Sequence, residues 1–327
     1  MIRSEVPPRS STEAVVDELR ARSCFVMVSH VKPDGDTLGA GLALGLALEA
    51  MGKRVHYFQQ DEVPRNLRFL PGAERVSRNI PAELPPDTLW VFGDMSTTAR
   101  AGEFLPPLER KNILNIDHHL GNTRFGALNF IREEECSTGS CVLLLLRALG
   151  APITPDIATC LLTTIMTDTG GFMHSNTTAD VLREGARLMD LGADKELITT
   201  EIYDNKRFAA LRLLGRALGE ARLEEAGRYC WSLVDDAMLD AVGADGEDTE
   251  EIVQHLRAIE GVEVAALFKA YDGEVRVSLR SAGKINVQAA AARLGGGGHA
   301  RASGLTYDGP PEAAIAAVRE VLKAEGL

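Results

Sequence analysis

Short apolar runs alternate with longer mixed segments through the first two thirds of the chain. Residues 24–29, 88–93 and 112–116 are mostly continuous apolar runs, and 53–59 reads as a further strand. Such runs predict parallel strands covered on both faces. Residues 36–51, rich in Ala, Leu and Gly, predict a helix. Residues 138–149 and 155–168 predict two more, the second opening on Pro155, which suits a first helical turn. Three further helices are expected over 177–191, 194–203 and 207–218, separated by Leu-Gly or polar breaks. From about Leu223 the pattern changes. Residues 229–234, 262–271 and 274–281 read as strands, with Asp272-Gly273 as a hairpin turn between the last two. Helices over 250–259, 285–294 and 311–324 complete a smaller unit. The expected fold is α/β: an N-terminal parallel-sheet domain with helices on both faces (1–190), a helical linker (191–215) and a smaller C-terminal α/β domain (216–327).

Composition narrows what such a fold does. The chain has 327 residues, 45% hydrophobic and 25% charged, enough for two cored domains. Its formal net charge of −12 argues against coating long nucleic acid, because that affinity rests on many Lys and Arg contacts to phosphate. A short anion held by a local basic pocket or by metal ions stays compatible. The five cysteines (Cys24, Cys136, Cys141, Cys160, Cys230) form no Cys-x-x-Cys pair and lie mostly in apolar runs. They predict buried, reduced thiols in a cytoplasmic protein. Met1 to Ser11 holds no apolar signal core, and the apolar stretch over 42–51 is too short and too interrupted to span a membrane.

The chemistry gathers at the ends of the predicted elements. Asp117-His118-His119 follows the run over 112–116. After the first run comes Ser29-His30-Val31-Lys32-Pro33-Asp34-Gly35-Asp36, where Pro33 and Gly35 set a tight turn that lets His30, Asp34 and Asp36 converge. The plain alternative is an ordinary turn with Asp36 as helix N-cap. Gly93-Asp94 follows the third run. Asp168 closes an apolar helix, where the helix dipole disfavours an acid unless a cation compensates it. Strand carboxyl ends share one crevice in an open α/β sheet. The pooled His30, Asp34, Asp36, Asp94, Asp117, His118, His119 and Asp168 exceed the needs of one ion and suit two. Mixed Asp/His ligation favours Mn²⁺, with Mg²⁺, Fe²⁺ or Zn²⁺ as alternatives. A pair of such ions is a clamp for displacement at phosphorus.

The C-terminal unit offers anion chemistry. The run Gly295-Gly296-Gly297-Gly298-His299 lies between a helix and a turn expected at Ala302-Ser303-Gly304. Glycines let backbone amides approach an anion closely. From 272 to 304 five Lys or Arg (Arg276, Arg280, Lys284, Arg293, Arg301) face two acids, a basic patch in an acidic chain. Arg280 and His299 are the favoured phosphate contacts, with Ser281 and Asn286 as supporting donors.

His30-x-x-x-Asp34-Gly35-Asp36, Gly93-Asp94, Asp117-His118-His119 and Asp168 together resemble the four motifs of the DHH phosphoesterase superfamily. Arg280-Ser281, Asn286-Val287, the glycine run with His299, and Ala302-Ser303-Gly304 resemble its DHHA1 domain. Size and layout are similar to the NrnA-type nanoRNases. Those enzymes degrade very short oligoribonucleotides and dephosphorylate 3′-phosphoadenosine 5′-phosphate (pAp); related stand-alone members hydrolyse cyclic di-AMP or pApA. The resemblance implies two Mn²⁺ ions. It assigns His30, Asp34 and Asp94 to one and Asp36, His118 and Asp168 to the other, with Asp94 shared. Asp117 would orient a neighbour and His119 would stand near the scissile phosphate. Arg280, Ser281, Asn286, Gly296, Gly297, Gly298 and His299 would hold the rest of the substrate. The expected partners are short oligoribonucleotides or small nucleotides, with no long duplex and no membrane; an apolar helix such as 138–149 is compatible with a homodimer. Three alternatives carry less. Family II pyrophosphatases lack the Gly-Gly-Gly-Gly-His run, and RecJ-type exonucleases are longer. An inactive nucleotide sensor would have lost metal ligands, and none is missing here.

Overall fold

The apolar runs of the first half form one parallel sheet in the computed structural model, which describes residues 7–271 and 274–327. Its strands are β1 (Cys24–Val28), β2 (Arg54–Phe58), β3 (Leu89–Gly93), β4 (Ile113–Asp117) and β5 (Leu128–Ile131), in the order β2-β1-β3-β4-β5. All neighbours run parallel. The apolar pattern did not announce β5. Asn129 interrupts that short run, and its buried side chain exchanges two hydrogen bonds with Gly126, N–H to Oδ1 and Nδ2–H to the carbonyl. From β1 the chain builds β2 on one side and β3 on the other, so the order reverses at the carboxyl ends of β1 and β3.

Strand periodicity sends Phe25 and Met27 to one face of the sheet and Val26 and Val28 to the other. The first face packs with α1 (Thr12–Ala21), α2 (Gly35–Ala50), α3 (Thr138–Leu149) and α4 (Pro155–Asp168). Leu188 of α5 (Ala179–Asp190) and Ile198 of α6 (Lys195–Thr199) join the same core. Helix α2 is buried almost all round, which is why it is Ala/Leu/Gly-rich instead of amphipathic. The second face is closed by Ile80, Leu84, Met95, Leu105 and Leu108 from connecting segments, and its helical cover consists of 3₁₀ turns such as Thr98–Ala101.

A first compact unit ends at Asn205 and a second begins at Lys206, so the segment 191–215 is divided between them. The second unit holds α7 (Phe208–Gly219), β6 (Arg222–Glu224), β7 (Tyr229–Asp235), α8 (Asp236–Val242), α9 (Ile252–Arg257), β8 (Val264–Tyr271), β9 (Glu274–Ser281), α10 (Val287–Arg293), β10 (Gly297–His299), β11 (Ala302–Tyr307) and α11 (Pro311–Ala324). The sheet order is β10-β11-β9-β8-β7-β6. Only β7 and β8 are parallel; the other pairs are antiparallel. Tyr229, Phe268 and Leu279 pack with α10 and α11, while Cys230, Val234 and Leu267 pack with α7, α8 and α9. Ala302-Ser303-Gly304, expected as a turn, is instead the first half of β11, paired with β9. Strands β8 and β9 pair out to Tyr271 and Glu274, and the expected turn at Asp272-Gly273 lies outside the described residues. All five cysteines are buried and unpaired. No helix among the described residues is long and apolar enough to cross a membrane.

Candidate metal centre

The crevice is assembled by capping and side-chain hydrogen bonds at the ends of β1, β3 and β4. Asp34, not Asp36, is the N-cap of α2, its Oδ1 accepting the N–H groups of Asp36 (3.1 Å) and Thr37 (3.0 Å). The Thr37 hydroxyl accepts from the His30 N–H (3.3 Å) and donates to the Gly93 carbonyl (3.0 Å), joining the first turn of α2 to the ends of β1 and β3. Relieved of the cap, the Asp36 carboxylate instead accepts the N–H groups of Thr138 (2.7 Å) and Gly139 (3.0 Å), where α3 begins and its dipole favours negative charge. The Thr138 hydroxyl donates to Asp94 Oδ1 (3.0 Å). Asp94 follows β3 with φ 62°, a left-handed backbone that costs a non-glycine residue about 1–3 kcal/mol. Its N–H is tied to the Ile116 carbonyl at 3.0 Å.

Asp94 is the meeting point of the predicted ligands. His30 Nε2 lies 3.2 Å from Asp94 Oδ2 and 3.6 Å from Asp34 Oδ2. His118 Nε2 lies 3.6 Å from Asp94 Oδ1, 3.7 Å from Asp36 Oδ2 and 3.5 Å from Asp168 Oδ2. Three donor groups result, His30/Asp34/Asp94, Asp36/His118/Asp168 and Asp94/His118/His119, each with donor atoms within 4.8 Å of one another. The Nδ1 atoms of His30 and His118 face the carbonyls of Val31 (2.9 Å) and Glu135 (3.3 Å). Those bonds place a proton on Nδ1 and leave Nε2 as the ligand atom. His119 differs: its Nδ1 faces Asp117 Oδ1 at 2.7 Å. Asp117, fully buried, also accepts the His118 N–H (2.9 Å) and Asn122 Nδ2–H (2.5 Å).

The charges here want a cation. Burial, then the charges of Asp94 and Asp168, hold the Asp36 carboxyl well above the usual carboxylate range. Burial and the charges of Asp94 and Asp34 do the same to Asp168. Burial opposes charge on His30 too, but Asp34 and the hydrogen bonds to Asp34 and Asp94 outweigh it and lift its pKa to about 10. For Asp94, burial is overcome by the hydrogen bond from His30 and by the charges of His119, His30 and His118, and its pKa is lowered. A histidine therefore stands in for the missing positive charge. Four carboxylates and two imidazole Nε2 atoms converge with no lysine or arginine ion pair to them among the described residues, which matches the donor set of two hard divalent ions.

Thr138, Asn115 and Asn122 belong to this site and were not picked out from sequence. Asn115 had a signal: it is a polar residue inside an apolar run, which calls for a buried partner.

In the second unit, the Arg280 backbone pairs with Ala302 across β9 and β11, and the Ser281 N–H donates to the Arg301 carbonyl (2.9 Å). The strand β10 that carries the glycine run is thus separated from Arg280 and Ser281 of β9 by β11 alone. Gly298, at φ 132°, occupies a conformation that favours glycine, and a Cβ there would meet the Ala302 carbonyl at 2.6 Å. Much of the basic patch is neutralised: Arg276 pairs with Glu274, Lys284 with Glu263 and Arg293 with Glu325. Arg280 makes no ion pair among the described residues. Its Nη1 donates to the Leu279 carbonyl, its buried Nε has no partner, and burial lowers its pKa. Asn286 is exposed and caps α10, its Oδ1 accepting from Gln288 and Ala289. Ser281 is buried, its hydroxyl accepting from the Gly283 N–H (3.0 Å). Gly296 and Gly297 lead into and open β10, and the His299 side chain lies outside the described residues.

Comparison with known proteins agrees with this layout. Residues 24–165 match the DHH family N-terminal domain and residues 235–325 the DHHA1 domain. A bifunctional oligoribonuclease and PAP phosphatase NrnA of Thermus thermophilus is 36% identical over 308 residues, covering 92% of this chain and 90% of that protein. The NrnA of Bacillus subtilis is 24% identical, covering 86% and 88%. The crystal structure of an exopolyphosphatase-related protein from Bacteroides fragilis superposes with a TM-score of 0.87 at 25% identity, covering 96% of this chain and 95% of that one.

Proposed function

The chain belongs to the DHH family of phosphoesterases, and from that premise we propose that it hydrolyses short oligoribonucleotides and pAp to mononucleotides, using two divalent cations, Mn²⁺ by preference. The observation that carries this proposal is Asp94, whose two carboxylate oxygens are approached separately by His30 and by His118. In the proposed assignment His30, Asp34 and Asp94 hold one ion, and Asp36, His118 and Asp168 hold the other. Bound there, the ions would polarise the phosphoryl group and lower the pKa of a water for attack on phosphorus. The rest belongs to the chain's own groups. Asp117 fixes the His119 ring through Nδ1, leaving Nε2 to hold or move a proton at the phosphoester. Arg280, a half-buried guanidinium without an ion pair among the described residues, binds a second phosphate with the glycine run of β10, supported by Ser281 and the Asn286 amide. Buried, unpaired cysteines support a reducing, cytoplasmic setting.

The test is a Mn²⁺-supplemented hydrolysis panel on pAp, pApA, cyclic di-AMP and short RNAs. Turnover is expected on pAp and short RNAs, and its loss in the Asp117→Ala/His118→Ala double variant with the fold retained. Undiminished turnover in that variant would remove the site assignment. Turnover of cyclic di-AMP alone would replace the substrate. Arg280→Ala is expected to raise KM more than it lowers kcat.

A further inference from the structure

Two asparagines that are not metal ligands tie the reacting groups together. Asn115 lies in β4 and is fully buried; Asn122 lies five residues beyond Asp117 and is 6% exposed. The Asn115 amide donates to the carbonyls of Phe92 (3.3 Å) and Met95 (3.0 Å), which bracket the left-handed Asp94. The Asn122 amide faces three acceptors: Met95 O (3.0 Å), Asn115 Oδ1 (2.8 Å) and Asp117 Oδ2 (2.5 Å). Its own Oδ1 accepts the Arg124 N–H at 2.6 Å, which sets the amide orientation. A buried chain of amides therefore runs from the Asp94 kink to the carboxylate that holds His119.

We propose that Asn115 and Asn122 are a pair of positioning residues, Asn115 holding the shared ligand Asp94 and Asn122 holding Asp117 and, through it, His119. The proposal rests on the function proposed above. The division of labour follows from the acceptors. Asn115 reaches only the carbonyls either side of Asp94 and the other asparagine, so its loss is felt first in metal binding. Asn122 supplies the hydrogen bond to Asp117 Oδ2, while Oδ1 serves His118 N–H and His119. Without Asn122 that carboxylate is free to rotate about its remaining donors, and the His119 ring loses its fixed direction.

The experiment uses the full-length chain and three variants: Asn122→Ala, His119→Ala and the double variant. Folding is checked by circular dichroism, and kcat and KM are measured on pAp. Asn122→Ala is expected to lower kcat by about 10–100-fold, the usual penalty for removing an outer-shell partner, with KM within about threefold. In the His119→Ala background the same substitution is expected to cost less than about threefold, because its effect is transmitted through that ring. An equal penalty in both backgrounds, or none in either, overturns the proposed role of Asn122. The Asn115 half is read without turnover, by electron paramagnetic resonance of free Mn²⁺ during titration. Asn115→Ser is expected to weaken Mn²⁺ binding by about 10-fold, whereas Asn122→Ala leaves it within about threefold. Equal Mn²⁺ affinities across the native chain and both variants overturn the assignment of Asn115. Should Asn115→Ser fail to fold, Asn115→Asp, which keeps the side-chain size but loses the donors, takes its place. A native chain that binds Mn²⁺ but turns over no phosphoester would overturn the proposed function and leave the Asn115 result readable.

Discussion

A buried carboxyl group crowded by other carboxylates holds its proton to a higher pH than an isolated one, and Asp36 and Asp168 are in that position. Their folded-state pKa values are raised above the ordinary value near 3.8. The folded, metal-free chain therefore binds more protons than the unfolded chain in the range above that value, and its stability falls as pH rises through it. Asp34 and Asp94, with lowered pKa values, act the other way, but only as pH drops below the ordinary range. His30, whose pKa is raised to about 10, contributes stability that is fully present below the ordinary imidazole value near 6.5 and is lost progressively as pH rises from there through about 10. Mn²⁺ bound through His30 Nε2 must displace a proton held with a pKa of about 10, and any protons held by Asp36 and Asp168 add to it, so binding near neutral pH is expected to release protons. Calorimetric titration in buffers of different ionisation enthalpy reads this directly; a binding enthalpy independent of buffer would contradict it. At this scale the converging acids and imidazoles were legible, because such residues at the ends of apolar runs stand out. The groups that aim them were not. Thr138 and Asn122 act through hydrogen bonds to Asp94, Asp36 and Asp117, partners far apart or in tight geometry that a linear pattern does not show.

Among the elements, α3 ties packing to chemistry. Its N-terminus supplies two N–H groups to Asp36, and it can do so because Gly139 lets α4 come close. A Cβ on Gly139 would lie 1.8 Å from Thr164 Oγ1, a buried hydroxyl already bonded to the Leu161 carbonyl. On an open helix, Gly→Ala would stabilise by up to about 1 kcal/mol. Here overpacking is expected to dominate, costing about 1–3 kcal/mol and lowering Tm by roughly 2–10 °C. Mn²⁺ affinity should fall with it, since the α3 N–H groups move away from Asp36. A rise in Tm for Gly139→Ala would show that α3 and α4 have room between them. Among the elements that sequence located well are those largely buried in the core of the first unit, β1 to β4 and α2 to α4. The misses have weaker patterns. β5 carries Asn129 within its four residues, and β10 opens on two glycines while the first half of β11 is Ala-Ser-Gly, where pairing is a matter of backbone and not of apolar side chains. The hydrophobic pattern is silent where the side chains are absent.

The whole molecule separates its tasks. Every proposed metal ligand lies in the first unit, and each unit has its own cores. Saturating Mn²⁺, at about a hundred times its Kd, adds roughly 2.7 kcal/mol per site to the unit that binds it. For a unit of this size that corresponds to roughly 5–10 °C per site. Scanning calorimetry of the full chain with and without Mn²⁺ is therefore expected to show one transition that moves and one that does not. A single transition shifting as a whole would show that the units do not unfold separately. The net charge of −12 belongs to this scale as well. It repels long polyanions at a distance, and a short substrate meets that repulsion over only a few phosphates.

The spacing of the ligands along the chain has a consequence for how the protein is made. The donors run from His30 to Asp168, and the sheet that gathers them needs β1, β3 and β4 side by side. A nascent chain emerging from the ribosome carries isolated acids and imidazoles long before it carries a site. The second donor group is incomplete until α4 has been synthesised to its last residue, and the first cannot close until β3 has docked beside β1. Capture of the proposed ions would thus come late, after the long-range contacts have formed. Bound cations would then act chiefly as a brake on unfolding, holding together strands whose joining they did nothing to hasten.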